Sequence, residues 1–557
     1  MISNASFRHP LWMAVFLVVG FFLNLSGIPL FDLDEGAFSE ATREMLRSGI
    51  WSATYLDGEP RYDKPILTYW LQAISVSVIG LNEWGLRLHS ALFALAWAAA
   101  IYYFCRETLN TRTAKVAVLV FSTVLAITVI GRAATADAVL NCFIALTLFD
   151  IYRYSQGWRS KYLYRTWIWL SLGMLTKGPV AAVIPFIVSG LWFASFGQHC
   201  RWLGAIMAPR GWLITLVLLL PWLIAIAYQQ GAGFFYGFLV EHNLQRFSST
   251  REGHGGQWYY YLLILPLVLL PYSGLLITLL PKWRALWARP YERLLIIWFV
   301  VVFILVSASQ TQLPHYILYG VTPLIILFAK YRQLCRQQSW QMLFPALFLT
   351  LLLGLYFYAH HAGQNDNTYL HEMLERAPGY FNNTYLVAVV AAIASLVLLS
   401  LHRISMWRKL VVMGLVQTAL TAYFLLPAVA GLQQTPVKNA AIFSRQLDKP
   451  IVAYKINMPS FSVYRDAITP RRNPQPSQVA FTRADKLPSL DKLYDPGSLS
   501  VLYRQGGIVL VEINTNATTN TELSTPPLHP TPHPDRPQEE YVQGDSRHAA
   551  TLKPSGT

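Results

Sequence analysis

The residues with chemical potential begin in one stretch. Phe31–Trp70 reads FDLDEGAFSEATREMLRSGIWSATYLDGEPRYDKPILTYW and sets Asp32, Asp34, Glu35, Glu40, Asp57, Glu59, Asp63 and Lys64 directly after a long apolar run. Carboxylates beside a membrane-sized segment are costly unless they face water, a partner or a substrate. Further charges and polar aromatics sit at the ends of later apolar runs. Arg132 and Asp137 lie in GRAATADAVL and Lys177 in LTKGPV; Glu241, His242, Arg246, Arg251 and His254 lie in EHNLQRFSSTREGHGGQWYY; His315, Tyr316 and Tyr319 lie in LPHYILY. Tyr62, Asp63 and Lys64 precede Pro65, and Arg43 and Arg47 belong to a short amphipathic helix expected over Ser39–Arg47. Carboxylates suit an acceptor or an amino-bearing substrate, and Lys and Arg suit phosphate.

Each of these residues also has a plainer reading. The opening stretch can be a solvated loop. Lys177 can snorkel to lipid headgroups, and Asp137 can cap the helix that follows it. His254 can sit in a solvated glycine-rich loop, and Tyr316 and Tyr319 can belong to an interfacial aromatic belt. What favours chemistry is convergence: two acidic sites and several cationic ones gather on one face at membrane depth.

The elements that position them are membrane helices. Of 557 residues, 54% are hydrophobic and only 13% charged, against roughly 25% charged in soluble proteins. The net charge of +15 does not indicate a nucleic-acid partner, because the basic residues occupy short loops between apolar runs. The four cysteines, Cys105, Cys142, Cys200 and Cys335, have neither disulfide-framework nor zinc-site spacing. Leu11–Leu30 is read as an uncleaved first span. Ile66–Leu81 is short and polar for a span, which needs about 20 residues, so it is read as an interfacial or re-entrant helix. With the remaining runs, the first span brings the total to about 13. Loops rich in Lys and Arg fall on one side, which the positive-inside rule makes cytoplasmic, and the candidate residues share the other.

The fold class expected is therefore a polytopic α-helical membrane protein. Residues 1–430 form the transmembrane region, with an outer first loop and juxtamembrane helices over 31–87. Residues 431–513 form a small outer α/β domain, with β-like segments at Pro450–Ala453, Ser460–Tyr464 and Leu499–Ile513 and a helix near Asn439–Leu447. Residues 514–557 form a disordered tail rich in Thr, Pro and His.

The motifs carry a resemblance. DEGAFSEATREM resembles the D-E-x-x-[YF]-[AS]-E-x-x-x-E-M loop of GT-C class membrane glycosyltransferases, and RYDKPILTYWL resembles their Y-F-E-K-P-P-L-x-Y-W. LTKGPV and the E-H…R-F…H…W-Y-Y loop extend the match. LPHYIL is similar to the L-P-T-Y-I-L segment of one branch, the undecaprenyl phosphate–4-amino-4-deoxy-L-arabinose transferases that modify lipid A. Gly36 and Ala37 stand where that branch often has Thr-Arg, or another residue plus Arg; Ile66 replaces the second Pro of K-P-P, and His315 replaces Thr.

The resemblance implies an inner-membrane enzyme of a Gram-negative bacterium with its site facing the periplasm. Its donor would be undecaprenyl phosphate-aminoarabinose and its acceptor lipid A, and the transfer would lower lipid A charge and confer resistance to polymyxin and cationic peptides. Asp34, Asp137 and Lys64 are the expected catalytic residues; Glu35, Tyr62, Arg132, Lys177, Arg246, His254 and Tyr316 are the expected substrate-binding residues. Two carboxylates on one face can hold a divalent cation, though a charged leaving group beside a lysine has less need of one. The alternative is a transferase of mannose or another sugar from a polyprenyl phosphate to protein or glycan. A transporter fits less well, since no internal repeat is visible and the charges gather at one face instead of the midplane.

Overall fold

The computed structural model describes residues 10–518 apart from 158, 246–255, 336–337, 362 and 364. The chain is a multi-pass helical membrane protein carrying a small sheet near its C-terminus. Among the described residues, six helices are long and apolar enough to cross a membrane singly, and a seventh span arises if Tyr260–Val268 and Ser273–Trp287, bent by 118°, count as one. Other expected spans are short or broken. α1 is Pro10–Phe21. The apolar run near 115–131 divides into α5 (Thr111–Phe121) and α6 (Leu125–Ile130). Periodicity does not register such breaks, because a packed partner can satisfy the freed backbone groups.

The opening loop folds back onto the helix bundle. α2 covers Asp34–Ser48, five residues longer at its N-terminus than the amphipathic pattern indicates. A hairpin of β1 (Tyr55–Leu56) and β2 (Glu59–Pro60) follows, then α3 (Leu67–Ile79). At 1.5 Å per residue α3 is about 20 Å long, too short to span. Phe38, Ala41 and Met45 of α2 pack with Tyr69 of α3 and with Trp222 and Phe234 of the helix Pro209–Phe235. α4 (Glu83–Thr108), α7 (Asp137–Ser155) and α8 (Lys161–Lys177) form the layer beneath.

The C-terminal sheet contains β3 (Ile451–Ala453), β4 (Val479–Arg483), β5 (Leu499–Gln505) and β6 (Ile508–Ile513) in the order β3-β4-β6-β5, with β3 and β4 parallel and the other pairs antiparallel. The helix expected near 439–447 is Thr435–Ser444. The β-like reading of Ser460–Tyr464 is corrected: Ser460–Arg465 is a helix. Pro459 starts it with φ −60°, and packing overrides the β propensity of the segment: Phe461 stacks on Phe481 of β4 at 3.9 Å while the same turn packs on α2. The tail beyond Thr518 lies outside the described residues.

Candidate active site

Helix ends bring the charged residues together. Asp34 opens α2 and Asp137 opens α7, where the positive end of the helix dipole favours a carboxylate. Lys177 closes α8, where the negative end favours a cation. Gly178 makes that ending possible: its φ is +80°, and a Cβ there would collide with the Phe238 ring. Lys64 lies just before α3, and His315 and Tyr316 lie in the 3-10 turn Pro314–Gly320. Asp34, Asp63, Lys64, Asp137, Lys177, His315 and Tyr316 together line a cavity of about 270 Å³, with Asp32 and Thr135 at its wall.

Within it the two carboxylates expected to be catalytic differ. Asp137 Oδ1 accepts from Lys177 Nζ at 2.7 Å and from the Tyr319 hydroxyl at 3.1 Å, and Oδ2 lies 3.8 Å from His315 Nε2. Lys177 also stands over the rings of Tyr316 (5.2 Å) and Tyr319 (5.7 Å). Asp34 is exposed to the cavity and makes no hydrogen bond or ion pair with a described residue. Lys64 Nζ lies 2.5 Å from Asp63 Oδ1, and that carboxylate also meets His242 Nδ1 at 3.2 Å and Arg61 at 3.2 Å.

Glu35 and Arg132 fall in an adjoining, mostly apolar cavity of about 270 Å³ lined also by Leu25, Ile28, Val129 and Leu426. Both are engaged internally. Glu35 pairs with Arg87 at 2.6 Å and accepts from the amides of Phe31 and Ala134. Burial raises its pKa, but Arg87 and those amides outweigh burial and hold it below the usual carboxylate range. Arg132 donates to the carbonyls of Val19, Gly20 and Leu23 at the end of α1 and of Thr128 in α6. Carbonyls at helix C-termini carry partial negative charge, so this buried cation is compensated without a carboxylate. Tyr62 lies outside the lining of both cavities; its ring meets Phe234 edge-on at 6.2 Å. Arg43 and Arg47 face the C-terminal domain, where both pair with Asp466. Arg246, Arg251 and His254 lie outside the described residues.

Two contributors are absent from the expected catalytic and binding sets. Arg61 donates to the Ala37 carbonyl at 2.6 Å and covers the Phe38 ring at 5.4 Å, so a guanidinium reaches the backbone of position 37. Asp32 accepts from the Ser460 amide at 3.0 Å and its hydroxyl at 2.5 Å, which ties the C-terminal domain to the cavity wall. Burial pushes Asp32 up to about 7 against those donors. Gly36 allows this approach, since a Cβ there would collide with the Asp32 carboxylate and the Ser460 amide. Among the described residues, no three His, Cys, Asp or Glu side chains are grouped to hold a metal ion.

This architecture has solved counterparts. The ArnT of Cupriavidus metallidurans, solved bound to undecaprenyl phosphate, superposes with a TM-score of 0.72 at 22% identity, covering 90% of this chain and 97% of that one. The chain has the GT-C membrane glycosyltransferase fold. Within that class, residues 63–224 match the family model described as dolichyl-phosphate-mannose-protein mannosyltransferase. The chain is also similar to the undecaprenyl phosphate-α-4-amino-4-deoxy-L-arabinose arabinosyl transferases of Edwardsiella ictaluri (30% identity over 62% of this chain) and Yersinia enterocolitica (31% over 58%). The matches span 63% and 59% of those relatives' own lengths, less than two thirds.

Proposed function

We propose that this protein is a lipid-to-lipid glycosyltransferase. It moves 4-amino-4-deoxy-L-arabinose from undecaprenyl phosphate to a phosphate of lipid A, at the periplasmic face of the inner membrane of a Gram-negative bacterium. The observation that carries the reading is the division of charge in the polar cavity. Lys64 and Lys177 supply cations to a leaving phosphate, and Asp34 is a carboxylate with no hydrogen bond or ion pair to a described residue.

In the transfer, the bond between the sugar's anomeric carbon and the carrier phosphate oxygen breaks, and its electron pair leaves with the phosphate. An oxygen of the acceptor phosphate forms the new bond to that carbon. A phosphate monoester has a second pKa of about 6 and is largely ionised at neutral pH, so the attacking oxygen needs little activation; where a proton remains, Asp34 takes it. Lys64 and Lys177 are preorganised to stabilise charge as it develops on the departing oxygen. Asp137 holds Lys177 in place at 2.7 Å. Capping lipid A phosphate with an aminosugar lowers its negative charge, and the proposed outcome for the cell is resistance to polymyxin and cationic peptides.

The test is the mass of lipid A from Gram-negative cells that lack their own transferase but make the aminoarabinose donor. Expressing this protein is expected to add one aminoarabinose increment, and its Asp34→Asn variant, present at equal level in the membrane, is expected to add none. No increment from the unmodified protein overturns the proposed sugar.

A further inference from the structure

The polar cavity and its apolar neighbour share two lining residues, Asp34 and Thr135. Thr135 is 5% exposed, and its hydroxyl has no hydrogen-bond partner among the described residues. An unpaired buried hydroxyl is unfavourable, because it has given up water without a replacement partner. The backbone around it is fully used: the Thr135 amide donates to the Ala133 carbonyl at 2.8 Å, and its carbonyl meets Ser90 Oγ at 3.2 Å and His89 Nε2 at 3.3 Å. The side chain is thus held firmly at the junction with its polar atom left over.

The neighbouring charges of the apolar cavity offer it nothing. Arg87 is bound by Glu35 and by the carbonyls of Leu25, Ile28 and Pro29, and Arg132 by helix-end carbonyls. Asn24 donates to the Ala422 carbonyl. What remains at the junction is one carboxylate and one hydroxyl. Neither group is a cation, so a phosphate takes its main contacts from Lys64 and Lys177 in the polar cavity and leaves this pair available. A sugar fits it well. A sugar hydroxyl or ammonium donates to the carboxylate, and the threonine hydroxyl donates to a sugar oxygen.

We propose that Asp34 and Thr135 form the subsite for the transferred sugar, with the Thr135 hydroxyl hydrogen-bonded to it, at the point where a cavity for the carrier phosphate meets a cavity for the acceptor lipid. This rests on the reading of the chain as a transferase that uses a polyprenyl-phosphate sugar. The sugar is the one group that must be reached from both lipids, and Asp34 and Thr135 are the residues that both cavities have in common.

The test uses the full-length protein in nanodiscs and three ligands: bare undecaprenyl phosphate, the same carrier bearing aminoarabinose, and the carrier bearing mannose. Dissociation constants are measured for the unmodified protein, Thr135→Val and Thr135→Ser. Losing one neutral hydrogen bond is expected to weaken binding of the sugar-bearing carrier about 3- to 10-fold in Thr135→Val. Binding of the bare carrier is expected to stay unchanged, and Thr135→Ser to restore the sugar-bearing affinity. A purely structural role of the hydroxyl would weaken all three ligands alike. Equal loss for the bare carrier, or no loss for either sugar-bearing carrier, overturns the subsite. A loss confined to the mannose carrier upholds the subsite and overturns aminoarabinose as the proposed sugar. Should the Val variant fail to fold, Thr135→Ala is measured in its place against the same three outcomes.

Discussion

Replacing Lys177 by Met removes one member of an ion pair whose side chains are 10% and 5% exposed and whose Nζ–Oδ1 distance is 2.7 Å. At an effective dielectric of about 20 the Coulomb attraction at that distance is roughly 6 kcal/mol, part of which is offset by the desolvation of both ions. Breaking such a pair on one side costs about 3–5 kcal/mol, because the surviving charge stays buried without its partner. The Tyr319 hydroxyl still donates to Asp137, so the lower end applies, and about 3 kcal/mol is a hundredfold shift toward unfolding. Asp137→Asn combined with Lys177→Met leaves no orphan charge and is expected to recover most of that loss. The assay is the fraction folded across a titration of SDS into dodecylmaltoside micelles, run on both single variants and the double variant as a cycle. Transfer activity is expected to stay low in the two variants that lack Lys177, because the cavity has lost a cation. Lys177→Met with unaltered stability, or a double variant less stable than either single one, would refute the argument that the pair holds these two helix ends together.

Three further outcomes follow from the geometry. Lys64→Ala is expected to lower the transfer rate by roughly 10²-fold, as removal of one preorganised donor does elsewhere; near-full activity in single-turnover measurements would place Lys64 outside the leaving-group site. Asp32 has its pKa raised to about 7 from 3.8, so the native state holds a proton that the unfolded chain releases above about pH 4. Its contribution to the domain contact is therefore full below about pH 4 and is lost as pH rises from there through about 7, and amide exchange over residues 456–466 should quicken across that range and level off above it; exchange independent of pH, once corrected for the intrinsic rate, counts against this. Gly36→Ala places a methyl against the Asp32 carboxylate and the Ser460 amide and is expected to give the same faster exchange at every pH, whereas unchanged exchange would mean that the two segments are not in close contact.

The sequence makes membrane class and candidate charges visible because both are written in residue type. Asp34, Lys64, Asp137 and Lys177 stand out as ions at the ends of apolar runs, and the structure gathers all four in one cavity. Glu35 and Arg132 carry the same signal in the chain, yet one is matched by Arg87 and the other by helix-end carbonyls. Charge at membrane depth announces a cost, and only geometry says what offsets it. Thr135 gives no such signal: it is a neutral residue in an alanine-rich segment, and its position depends on two cavities that no periodicity describes. The helix at Ser460–Arg465 was hidden for a related reason, since SFSVYR has a strand's composition and takes helical form where Phe461 stacks on β4.

The Asp32–Ser460 hydrogen bond joins residues 428 positions apart. Asp32 leaves the ribosome 428 residues ahead of Ser460, so the wall beside Asp34 stays unfinished while all the intervening chain is made. A nascent chain that has already inserted its helices still lacks the segment that closes this wall. Assembly order thus leaves the charged cavity without this part of its wall until the C-terminal domain has folded and docked. A chain truncated before Ser460 would insert and remain in this immature condition.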